Sequence, residues 1–121
     1  MKKIKRNKND LYFVFTTQEE VGLRGAKAAA YSVDPDYAIA IDVTDTGDTP
    51  ECNVMDVKLG RGAAIKVMDS SIICDVDVRM VLIETAKKNK IPYQIEIMSD
   101  GGTDAGAVHL TRAGIKTGGI S

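Results

Sequence analysis

The sequence predicts an α/β fold, with helices packed on a largely parallel or mixed sheet, and three features predict it. Two apolar runs, Leu11-Tyr12-Phe13-Val14-Phe15 and Tyr37-Ala38-Ile39-Ala40-Ile41, are continuous rather than alternating, as strands covered on both faces are. Helix-forming segments separate the runs. Each run ends in acid, Glu19 and Glu20 after the first and Asp42 after the second, and open α/β sheets gather ligands beyond the carboxyl ends of their strands.

Taken in order, the first run predicts a strand over 11–17, followed by Val21-Gly22-Leu23-Arg24-Gly25 and the alanine-rich helix former Ala26-Lys27-Ala28-Ala29-Ala30. Asp34-Pro35-Asp36 ends that helix and turns the chain into a second strand over 37–43. Thr44-Asp45-Thr46-Gly47-Asp48-Thr49-Pro50 reads as loop. Gly60-Arg61-Gly62 precedes a short apolar segment over 63–68. Val76, Met80, Ile83 and Ala86 recur at helical spacing between Asp75 and Lys88; Asp75 or a neighbour caps the start, and Lys87, Lys88 and Lys90 suit the negative end of the dipole. An alternating strand follows over 94–98, then a helix from Gly101-Gly102-Thr103-Asp104 to about Arg112, and a last strand begins at Ile115.

A chain of 121 residues has the size of one domain with its own core. Hydrophobic residues at 44% and charged ones at 27% are those of an ordinary globular chain, and a net charge of -1 favours neither nucleic acid nor an anionic membrane. Lys2, Lys3, Lys5, Arg6 and Lys8 form the one charge run, read as a solvated terminal segment. No apolar stretch reaches the roughly 20 residues of a membrane span. Cys52 and Cys74 make no CxxC pair, which suits structural thiols in a reducing compartment. The composition predicts a cytoplasmic protein that binds no membrane and no nucleic acid.

The acids carry the chemistry. Divalent cations take carboxylate oxygen, and a hydrolytic metal site needs one further, unligated carboxylate to move the proton of its water. Glu19 and Glu20 can serve one site only if the backbone turns, since neighbours on a strand point to opposite faces, and Gly22 supplies that freedom. The plain alternative is a solvated surface pair.

Gln18-Glu19-Glu20-Val21-Gly22-Leu23-Arg24-Gly25-Ala26, Ile39-Ala40-Ile41-Asp42-Val43-Thr44 and Gly101-Gly102-Thr103-Asp104-Ala105-Gly106, in that order, resemble the glutamyl-aminopeptidase and tetrahedral (TET) aminopeptidase family. The similarity runs from about Leu11 to Ser121 and includes Ala64-Ile65-Lys66-Val67-Met68-Asp69 and His109-Leu110-Thr111-Arg112-Ala113-Gly114. It implies a zinc-peptidase-like three-layer sandwich and a cytosolic metallo-aminopeptidase that removes N-terminal residues from peptides with two divalent ions, zinc or cobalt, and works as a homo-oligomer. It also implies roles: Glu19 as general base, Glu20 and Asp42 as metal ligands, and Gly101, Gly102, Thr103 and Asp104 as a rim that shapes the substrate pocket. A helix capped by Thr103 or Asp104 explains the last motif equally well. His109, inside a helix, is expected to be structural.

The family also uses a histidine in a His-x-Asp segment, a bridging aspartate, a later histidine and an inserted β-domain, and residues 1–121 contain none of them. The chain therefore resembles a partial catalytic domain, incomplete at both ends, expected to bind metal weakly or not at all alone and to have negligible peptidase activity. Two rivals remain. Paired carboxylates also serve glycoside hydrolases of endoglucanase type, although two Phe, four Tyr and no Trp make a poor sugar-stacking surface. A non-catalytic assembly remnant is the other. Gly60-Arg61-Gly62 and Gly101-Gly102 complete no nucleotide-binding motif.

Overall fold

A computed structural model of the chain describes residues 7–121. Of the basic run, Lys2, Lys3, Lys5 and Arg6 lie outside the described residues, and Lys8 is exposed. Three helices and four strands follow: α1 (Arg24–Val33), β1 (Tyr37–Ile41), β2 (Ala63–Met68), α2 (Val76–Asn89), β3 (Tyr93–Ile97), α3 (Asp104–Val108) and β4 (Lys116–Ile120).

The local chemistry explains these boundaries. Asp75 accepts the backbone N–H groups of Asp77 and Val78, the cap expected for α2, and Lys90 closes that helix in the left-handed region with φ 54°. Asp34 closes α1 in the same way, its N–H returning to the Ala30 carbonyl. The helix opening at Asp104 is shorter than expected. It stops at Val108, and turns through Arg112 (φ 53°) and Gly114 (φ 102°) lead into β4.

The sheet runs in the order β1-β4-β2-β3. β1 is parallel to β4 and β2 parallel to β3, while β2 meets β4 antiparallel, so the sheet is mixed. Adjacent residues of β4 identify its two faces. Gly118 lies so close to Val78 of α2 that a Cβ there would sit 2.6 Å from Val78 Cγ1. Ala40, opposite Gly119, packs instead on the core cluster of Ile72, Cys74 and Ala105 beneath α3. With α1 packed on α3, the order of layers is α1 and α3, sheet, α2.

The strand expected over 11–17 does not form. No described strand hydrogen-bonds to this run, and Leu11, Tyr12, Phe13, Val14 and Phe15 are 50–93% exposed. Apolar composition prepares a segment for burial, but a strand exists only through its ladder partners. The second expected strand is two residues shorter than 37–43, ending at Ile41.

Candidate functional site

The turn that carries Glu19 and Glu20 is built by backbone bonds onto the start of α1. The Glu19 carbonyl accepts from Gly22 and Leu23 at 3.1 and 2.9 Å, Gln18 from Arg24 at 3.3 Å and Thr17 from Gly25 at 2.9 Å. Gln18, Gly22 and Leu23 all have positive φ (57°, 111° and 56°), so the backbone does turn where the two carboxylates required it. Gly25 meets Thr17 so closely that a Cβ would lie 2.5 Å from the Thr17 nitrogen.

The turn brings Glu19 near other acids. Partial burial pushes its carboxyl above the ordinary value, and the charges of Asp42, Glu20 and Asp104 push it further. Asp42 follows β1, its N–H bonded to the Ile120 carbonyl of β4 at 3.1 Å, while its own Oδ1 accepts from Val43. Asp104 opens α3 and accepts from the Thr16 hydroxyl at 2.6 Å; its second oxygen is buried without a hydrogen-bond partner. Thr103 takes the N-cap position of α3 but makes no side-chain cap bond, and its buried hydroxyl is also unpartnered. Gly101 and Gly102 are exposed, with the Gly101 carbonyl held by the N–H and hydroxyl of Ser70. His109, expected inside a helix, lies instead at the C-cap of α3, where its ring nitrogen Nδ1 is 3.1 Å from the Ala105 carbonyl.

These donors fit a divalent cation as part of a ligand set. They are hard oxygen ligands whose mutual repulsion already raises Glu19, and a cation among them would relieve it. Among the described residues, no group of three His, Cys, Asp or Glu side chains converges closely enough to hold an ion by itself. A cavity of about 540 Å³ lies elsewhere, at the opposite end of β1 and β4, lined by Asp34, Tyr37, Arg112 and Lys116 among others and by none of the site acids.

Sequence reasoning missed a buried ion cluster below the Gly101 loop. Lys66 Nζ lies 2.7 Å from Glu96 and 3.6 Å from Asp69, with all three side chains 0–1% exposed. Asp69 Oδ1 also accepts from the N–H and hydroxyl of Ser71 at 2.8 and 2.7 Å and from the N–H of Ile72 at 3.1 Å. Ser71 in turn lies against Gly102 and Gly106. The only signal was a cation and an anion on two strands, and only the Lys66–Glu96 register makes them partners.

Comparison with known proteins identifies the family. The model of the M42 glutamyl aminopeptidase family matches residues 1–121. A curated relative from Acetivibrio thermocellus is 60% identical over 121 residues, covering 100% of this chain and 37% of the relative. The crystal structure of a TET aminopeptidase from the marine sediment archaeon Thaumarchaeota archaeon SCGC AB-539-E09 superposes with a TM-score of 0.82 at 42% identity, over 88% of this chain and 30% of that one. The Pyrococcus horikoshii TET1 peptidase, which can assemble into a tetrahedron or a large octahedral shell, superposes at 0.67 with 38% identity, over 88% and 30% of the two chains. The chain thus spans about a third of the length of the relatives it matches. Three ordered motifs, a mixed sheet between two helical layers and a match along the entire sequence agree: the chain belongs to the M42 glutamyl aminopeptidase family.

Proposed function

We propose that residues 1–121 form part of the catalytic domain of a cytoplasmic, metal-dependent aminopeptidase that removes N-terminal residues from peptides and works as a homo-oligomer. The observation that carries this reading is the M42 family match along residues 1–121, and beside it stands the positive-φ turn that carries Glu19 and Glu20, where the charges of Asp42, Glu20 and Asp104 are felt at Glu19. Glu20 and Asp42 supply oxygen ligands to two divalent ions, zinc or cobalt; when bound, such ions polarise the scissile carbonyl and acidify water. Glu19 takes the proton from the attacking water and hands it to the leaving amine. Gly101, Gly102, Thr103 and Asp104 border the space where the substrate's first residue would lie. The family match supports aminopeptidase over glycosidase chemistry.

The division of roles is testable in a chimaera carrying this chain in place of the matching third of the Acetivibrio relative. Release of an aminoacyl anilide by Glu19→Gln should fall about 10²–10⁴-fold with metal content unchanged. Glu20→Gln should lose metal first. Parallel loss of metal and rate in both variants would refute the assignment. The 121-residue chain alone, with two or three carboxylates as its ligands, should bind zinc weakly in calorimetry and turn over no faster than its Glu19→Gln form.

A further inference from the structure

We infer that Thr16 is a positioning residue, which sets the Glu19–Glu20 turn over the site by donating its hydroxyl to Asp104; this deepens the reading just given and rests on it for the roles of the two glutamates. The bond spans 88 residues at 2.6 Å, a length typical of a hydroxyl donating to a charged carboxylate. Among the described residues, no other hydrogen bond or ion pair joins residues 10–20 to anything beyond the first turn of α1. The run before Thr16 adds little hold, because Leu11 to Phe15 are exposed and pair with no strand.

The turn itself needs an external hold. Gln18 and Leu23 both sit in the left-handed region, which side chains rarely adopt, and such conformations persist only when their surroundings impose them. The four backbone bonds, two within the turn and two from Arg24 and Gly25 of α1, fix the shape of the turn but not its place, since α1 itself packs on α3. Thr16 makes the direct tie to α3, at its first residue. Asp104 is well suited as the acceptor: one oxygen takes the Thr16 hydroxyl, the other is buried, and its charge is felt at Glu19.

The test is native-state amide hydrogen exchange on the 121-residue chain, compared with Thr16→Val, which keeps the shape and removes the donor, and Thr16→Ser, which restores it. Exchange at Gly22, Leu23, Arg24 and Gly25 should quicken about tenfold in Thr16→Val, with the amides of Ala64 in β2 and of Ser121, just after β4, unchanged and Thr16→Ser close to the parent. Asp104→Asn, which retains an acceptor but not its charge, should fall between. Unchanged exchange at the turn, or acceleration spread evenly over the sheet, would overturn the inference. The readout requires no metal and no turnover, so it stands or fails separately from the peptidase assignment.

Discussion

At the scale of single residues, Glu19 links the site to pH. Its carboxyl holds a proton more tightly in the fold than the ordinary value of 4.5. The folded state therefore binds more protons than the unfolded chain in the interval above that value, and stability falls as pH rises through it. Below about pH 4 both states are protonated and the penalty is absent. Glu19→Gln should accordingly be more stable than the parent at pH 7, by a margin that disappears in acid, as urea midpoints at the two pH values would report. The two thiols differ in the same residue-level way. Cys52 is exposed, whereas Cys74 is buried and its thiol is pushed up by desolvation and the Asp69 charge. An alkylating reagent should label Cys52 in the native chain and reach Cys74 only on unfolding. The carboxylates were legible because their positions after apolar runs had a chemical meaning. Thr16 was not, since a threonine in such a run is indistinguishable from any β-former until Asp104 stands beside it.

Among the elements, legibility followed how local the cause was. α2 was readable from helical spacing and from Asp75, although Val76 and Met80 of the expected stripe are exposed and Val78 and Ala86 are the buried residues; Asp75→Ala should cost about 1 kcal/mol in chemical denaturation through loss of the cap. The run over 11–17 has the composition of a buried strand, yet its state depends on partners that no residue within it determines. α3 is a similar case: it lasts only five residues, and the left-handed turns at Arg112 and Gly114 that follow it carry no strong breaker before Gly114. Gly25 is tightly constrained by backbone at the start of α1. Gly25→Ala would drive a methyl into the Thr17 backbone, and it should abolish the protection of the Gly22–Gly25 amides that the parent turn provides.

For the molecule as a whole, the buried Lys66–Glu96–Asp69 cluster is the least expected feature. Two carboxylates accompany one ammonium, and one oxygen of each carboxylate lacks a hydrogen-bond partner. Removing the lysine leaves both acids buried without a cation, so Lys66→Met should destabilise the chain by about 3–5 kcal/mol, and pairing it with Glu96→Gln should recover part of the loss. Such clusters seldom add stability over well-packed apolar residues, and this one braces the Ser70–Ser71 turn that holds the Gly101 loop. The fold class was readable from alternating elements, whereas the three layers came from the family resemblance. Strand order was not, because it depends on contacts between segments far apart in the chain.

That strand order has a consequence for how the molecule is made. β4 is the fourth strand in sequence but lies second in the sheet, between β1 and β2. Among the described residues, β1 and β4 form one pair and β2 and β3 the other, and the two pairs meet only through β4, so residues through 120 are needed before these halves can join. Joining these halves is therefore governed by closing long loops rather than by forming helices, so it should be slower than helix formation.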